Sequence, residues 1–277
     1  MNRKDKIRWL RYLALIASIL LTIMPFAFII VTSLKDFISI MTNKLLFNPS
    51  LDNYKDLFFS RGSDYPQYLL NSVIVATVST IISMIIGTMG AYALSWYKVP
   101  YKIDTLILSW LLVVRIIHPM ALAIPFFFIM NSFGLYNTKL ALILIYTALN
   151  MPFTIWMMKT FFDELPRSLG EAAEIDGCSR FGIFRQIALP LVAPGLAATV
   201  IFCFMLAWNE FLLALILTST SNSMTFPVGI SRLAQQYNIN WGEMSAAATT
   251  FSIPIFLISL LVQKYIVKGM TMGAVKG

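Results

Sequence analysis

Six apolar runs, each long enough to cross a bilayer, constrain this chain more than any other feature. They fall at roughly Tyr12–Val31, Leu69–Leu94, Thr105–Met130, Leu140–Phe161, Leu196–Leu217 and Ala247–Val267. About 20 mostly apolar residues in a helix reach across the hydrocarbon core. Only 12% of the 277 residues are charged, where a soluble domain carries about 25%. So few charges cannot cover a globule against water, whereas lipid needs no such cover. The expected fold is an all-α membrane protein with six transmembrane helices. Basic residues precede the first run, as in a signal peptide. The run exceeds the roughly 7–15 residues of a signal core and no small-residue cleavage site follows it, which predicts a retained helix.

The positive charge orders these helices. With the N-terminus inside, fourteen of the 21 Lys and Arg fall in inner segments: Arg3, Lys4, Lys6, Arg8, Arg11, Lys98, Lys102, Lys159, Arg167, Arg180, Arg185, Lys264, Lys268 and Lys276. Six fall outside, namely Lys35, Lys44, Lys55, Arg61, Lys139 and Arg232, and Arg115 is left within the membrane. The positive-inside rule then puts both termini in the cytoplasm. That placement accounts for the net charge of +8 without invoking nucleic acid. The expected divisions are a tail at 1–11, a first helix at 12–33, an extracellular segment at 34–67, a core at 68–267 and a tail at 268–277.

Within the helices, Ser83, Gly87, Ala91 and Ser95 recur every fourth residue, a stripe of small side chains that lets another backbone come close. Pro119, Pro125 and Pro254 are expected to kink their helices. Cys178 and Cys203 have neither a disulfide framework nor metal-ligand spacing and read as free thiols. No Walker A, H-E-x-x-H, C-x-x-C or G-x-S-x-G pattern occurs; the tail glycines Gly269 and Gly273 lack phosphate-loop spacing. The chain is therefore expected to bind no cofactor and no metal, and to have no catalytic residues.

One polar segment interrupts the second half: "EAAEIDGCSRFGIFRQIALP", residues 171–190. Pro166 suits a helical first turn and Gly177 a C-terminal cap, so 166–177 reads as a short helix. Leu169, Ala172, Ala173 and Asp176 share a small, mostly apolar face beside Glu171. Ser179 can cap a second helix with an apolar stripe of Phe181, Phe184, Ile187 and Ala188, closed by Leu189 and Pro190. Spacing leaves three uses open: a docking element pressed into another protein, a solvated connector, or a helix lying on the lipid surface.

This segment closely resembles the EAA motif of permease subunits in bacterial ABC importers. Glu171, Ala172, Ala173, Gly177, Ile187, Leu189 and Pro190 match in register. "NMPFTIWMMKTFFDELP" (150–166), "AWNEFLLALILTS" (207–219), "TFPVGI" (225–230) and "VKGMTMGAVKG" (267–277) extend the resemblance to the carbohydrate importers of the maltose type, covering nearly everything from residue 68 onward. The resemblance implies the type I permease fold in a bacterial inner membrane. It implies coupling helices in the loop 162–190, seated in a cleft of an ATPase subunit that holds ATP and magnesium. Implied partners are a second permease in a heterodimer, two ATPase copies, an extracellular or lipid-anchored solute-binding protein, membrane lipids and a sugar substrate. Segment 221–244 resembles the family's loop toward the binding protein.

Ionisable groups inside a bilayer are functional candidates. Arg115 and His118 lie in the third run, Asn209 and Glu210 in the fifth. Arg115 sits about 11 residues into its helix and Glu210 about 15, depths that differ by roughly 6 Å. The two are expected to pair, or to face one cavity together, as a pathway, gate or scaffold. His118, before Pro119, has a plainer use in bonding a backbone carbonyl freed by the break. Asn209, with Trp208 and Phe211, offers amide and aromatic contacts to a sugar. The rival readings are an ion-coupled transporter, which predicts inverted repeats that are absent here, and a membrane enzyme, for which no convergent residue set exists. Within the family, a glycerol-3-phosphate or other polyol importer is the alternative.

Overall fold

The computed structural model describes residues 3–97, 103–235 and 238–273, nearly all of them helical. Lys98, Lys102 and Lys276, with the last four residues of the 268–277 tail, lie outside the described residues. The chain forms two units, one of residues 1–66 with 229–253 and one of residues 67–228 with 254–277.

In the first unit, α1 (Arg3–Ser33) is followed by short α2 (Phe37–Met41) and α3 (Asp52–Phe59). None of the most apolar window of Arg8–Ser33 is buried within the chain, as suits a helix whose solvent is lipid. Its far end is tied down by α3. The Asn53 amide donates to the carbonyls of Ser33 at 2.9 Å and Lys35 at 2.8 Å, and the hydroxyls of Ser33 and Tyr54 are 2.8 Å apart. A Cβ on Gly242 would stand 2.2 Å from the Asn53 carboxamide oxygen, so glycine is what lets the start of α14 (Trp241–Gly273) pack there. Before α14, helix α13 (Phe226–Leu233) leads into a two-residue antiparallel ladder pairing Ala234 with Ile239 and Gln235 with Asn238. This ladder is a departure from a wholly helical expectation.

In the second unit, α4 (Tyr65–Trp96) packs on α7 (Lys139–Asp163). Ser83, Gly87, Ala91 and Ser95 are all buried. A Cβ on Gly87 would lie 2.6 Å from Cγ2 of Thr154 on α7. The small-residue stripe is thus a close helix contact. Met84, Tyr92, Phe153, Met158, Phe162 and Cys203 build the core beside it. Both cysteines are free.

Two runs read as single spans are broken. The third forms α5 (Ile103–Ile116) and α6 (Pro119–Ser132), bent by 98°. Proline disfavours helical geometry in the residue before it, and His118 is accordingly extended, with ψ 135°. The fifth starts earlier than expected: α11 (Ala193–Trp208) meets the preceding segment, Arg180–Leu191, at 80° and ends before short α12 (Leu212–Leu217). Pro125 and Pro254 lie inside continuous helices. Among the described residues there are thus four unbroken membrane-length helices and two bent pairs, between four and six spans.

Candidate coupling segment and membrane cavity

The polar interruption is a built object. Helix α8 (Ser168–Ile175) ends where Gly177 takes φ +83°, with Gly177 N–H donating to Glu174 O at 3.1 Å and Cys178 N–H to Ala173 O at 2.9 Å. This Schellman ending needs a left-handed residue, which glycine supplies without strain. Ser179 accepts from Gly182 N–H at 3.2 Å and caps α9 (Arg180–Ile183). A π-helical turn over Phe184–Ala188 follows, then the single turn α10 (Leu189–Leu191). Pro190 has no N–H for the carbonyl four residues back, and its ring would clash there. The wider turn just before it, closed by Leu189 N–H to Phe184 O, is the local relief.

An aromatic seat holds the segment. Phe184 lies 5.0 Å from the Tyr92 ring and 6.4 Å from Phe162, while Ile183 and Ala188 are buried. The Arg180 guanidinium stands 4.8 Å over Tyr97. Gly170 presses on Trp96. Below it, the Ser95 hydroxyl donates to Asp163 at 2.6 Å, Lys159 pairs with Asp163 at 2.6 Å, and Arg167 donates to the Ser95 carbonyl at 3.0 Å.

The exposed face differs from the expected one. Ala173 is 6% exposed and belongs to the seat, as do Ala188 and most of Phe184. Ile187 and Leu189 are half-buried, and Pro190 is exposed. What faces outward is Glu171, Ala172, Ile175, Asp176, Gly177 and Phe181, with Ile175 86% exposed and Phe181 60%. The sequence reading missed Ile175, although a large aliphatic next to Asp176 at a helix end was the available signal.

Arg115 and Glu210 line one cavity of about 260 Å³ with Tyr146, Asn150, Phe153 and Pro119. They make no ion pair. Among the described residues the ion pairs are Lys55–Asp52 and Lys159–Asp163. Arg115 lies 4.7 Å over the Phe153 ring. Glu210 accepts the Tyr146 hydroxyl at 2.5 Å and the N–H groups of Leu213 at 2.8 Å and Ala214 at 3.1 Å. Its carboxylate therefore occupies the N-terminus of α12, where backbone donors are free and the helix dipole favours negative charge. Of the two expected arrangements, a pair or a shared cavity, the structure has the shared cavity, because Tyr146 and two backbone N–H groups already hold the acid.

His118 accepts from Met120 N–H at 3.3 Å and caps α6, instead of donating to a freed carbonyl. Asn209 donates to Met205 O at 2.8 Å and closes α11. Trp208, proposed as a sugar-stacking face, is buried and stacks on Phe204 at 5.5 Å. Tyr146, Asn150 and Thr154 add polar groups on α7 that are not among the expected site residues. Their spacing of four along an apolar helix is a polar stripe that the sequence did display.

Residues 83–272 match the family described as the binding-protein-dependent transport system inner membrane component. The chain belongs to this family. It is thus a multi-pass membrane component of a transport system, not an enzyme. It is 35% identical over 272 residues to the trehalose/maltose transport system permease protein MalG of Thermococcus litoralis, covering 96% of this chain and 97% of that one. It is 36% identical to the trehalose transport system permease protein SugB of Mycobacterium tuberculosis, over 92% and 93% of the two chains. A solved bacterial ABC transporter involved in import of the acidic polysaccharide alginate contains a chain of the same fold, with TM-score 0.82, 20% identity and 96% and 98% coverage.

Proposed function

We propose that this chain is a permease subunit forming half of the translocation pathway of an ATP-driven, binding-protein-dependent importer of sugars, oligosaccharides in particular. Six spans, with α5 and α6 counted as one and α11 with α12 as another, leave both termini and the segment 162–190 in the cytoplasm, in keeping with the charge asymmetry. A second permease, two ATPase subunits and a solute-binding protein complete the assembly. ATP and magnesium belong to the ATPase.

The observation that carries this reading is the outward face of 171–181. Large apolar side chains, Ile175 and Phe181, stand exposed beside Glu171 and Asp176 on a segment whose other face is fixed by Tyr92, Trp96 and Phe184. A connector has no use for so firm a seat, and a lipid-surface helix would carry basic residues in place of the acids. The sugar comes from the trehalose and maltose relatives. Arg115, His118, Asn209 and Glu210 stand at the two helix breaks that bound the pathway, with Arg115 and Glu210 on its cavity.

The test is the whole complex in liposomes, with ATP hydrolysis measured against a panel of oligosaccharides in the presence of the binding protein. Hydrolysis that rises severalfold with one sugar class and drives its uptake supports the reading. Uptake that persists without any ATPase subunit overturns it.

A further inference from the structure

A second cavity, of about 610 Å³, lies in the first unit between the end of α1, α2 and the first turns of α14. Its volume falls within the roughly 300–1,000 Å³ range of small-molecule pockets. Phe28, Ile29, Met41, Trp241 and Met244 give it mostly apolar walls. Lys35 also lines it, two residues past the end of α1, at the depth where a spanning helix leaves the hydrocarbon.

Lys35 is only 7% exposed. Its ammonium lies 5.1 Å over the Phe47 ring, and neither ion pair among the described residues includes it. Lining the cavity with no ion-pair partner among the described residues, Lys35 keeps its charge available to an anionic ligand in that space. Thr32 and Asn43, also on the cavity wall, offer a hydroxyl and an amide beside it.

We propose that this cavity binds an anionic phospholipid, with one acyl chain against Phe28, Met41 and Met244 and the phosphate at Lys35. Two features fix the occupant: the walls suit an alkyl chain, and the cation suits a phosphate. Trp241, 46% exposed at the start of α14, is the residue type that sits at headgroup level. The leaflet is the outer one in the proposed topology. The site itself requires only that α1 and α14 cross a bilayer.

The test uses the intact transporter complex in nanodiscs of phosphatidylcholine with a minor fraction of phosphatidylglycerol. Lipid retained per complex is counted by mass spectrometry after detergent exchange. Lys35→Gln is expected to weaken phosphatidylglycerol retention about fivefold, the change matching the ~1 kcal/mol that one lysine gives toward anionic lipid. Lys35→Arg should retain it, and Ala248→Trp, which fills the cavity with bulk, should expel it while Lys35 is intact. Equal retention by wild type, Lys35→Gln and Ala248→Trp overturns the proposal. So does a cavity found filled by a helix of another subunit. Retention that follows Lys35 in a complex that imports no sugar would sink the transport reading and leave the lipid site standing.

Discussion

Gly170 lies flat against the indole of Trp96: a Cβ on the glycine would stand 2.4 Å from Cζ3 and 3.1 Å from Cε3. This contact joins the base of α4 to α8, and so joins a membrane helix to the segment proposed to receive motion from an ATPase. Helix propensity favours Gly170→Ala by about 1 kcal/mol, whereas overpacking a filled contact costs about 1–3 kcal/mol. The steric effect is the larger. Gly170→Ala is expected to lower sugar-dependent uptake per ATP hydrolysed in proteoliposomes while the complex still assembles. Trp96→Phe, which removes the clashing ring, should restore part of the loss in the double variant. A Gly170→Ala complex with wild-type coupling would show that the seat transmits nothing.

Ile175 and Phe181 project from the same segment into solvent. Ile175→Asp should change this chain's own stability by no more than about 0.5 kcal/mol, and Phe181→Asp, which loses a ring contact with Phe184 at 6.0 Å, by about 0.5–1.5 kcal/mol. Truncated apolar anchors at an interface centre cost about 2 kcal/mol or more. Affinity for the ATPase, measured by titration of the purified subunits, should therefore fall about 30-fold or more in each variant. Normal affinity would move the docking surface elsewhere.

At Gly177 the prediction separates backbone from side chain. A non-glycine residue at φ +83° costs about 1–2 kcal/mol, less for Asn. No heavy atom lies within 4 Å of the added Cβ, so space is not the constraint. Coupling should rank wild type, then Gly177→Asn, then Gly177→Ala. The reverse order of the two variants, read by uptake per ATP, would mean that this ending is not what positions Gly177.

The length of the apolar runs located the membrane-length helices, and small-residue spacing marked the face of α4 that another backbone approaches, because burial in lipid and close packing both leave local signatures. The bends were less legible. Pro119 marks one break, yet proline also sits unbroken within α6 and α14, so the residue alone does not decide the outcome. In the coupling segment, caps at Gly177 and Ser179 were readable from local chemistry. Which of Ala172 and Ala173 faces outward was not, since that depends on Trp96 and Tyr92, some 80 residues away in sequence. For the same reason charge and depth alone suggested an Arg115–Glu210 pair. The decisive partner, Tyr146, lies on a third helix, and the backbone donors of α12 exist only because α11 stops.

That arrangement yields the sharpest contrast. Glu210 accepts three hydrogen bonds, one from a side chain and two from the start of α12. Glu210→Gln turns one acceptor oxygen into a donor facing existing donors, an unsatisfied arrangement worth about 2 kcal/mol. Tyr146→Phe removes one bond of the three, made to a carboxylate, and should cost about 1.5 kcal/mol. Arg115→Gln loses only a ring contact with Phe153, about 0.5–1 kcal/mol. Thermal unfolding of the purified complex should rank the losses in that order. A double-mutant cycle should show Glu210 coupled to Tyr146 and nearly additive with Arg115. Strong coupling between Arg115 and Glu210 would instead make them an ion pair in solution and discard the role of Glu210 as the cap of α12. With additivity, any loss of transport in Arg115→Gln beyond its small stability cost belongs to the cavity that Arg115 lines, the one proposed to lie on the translocation pathway.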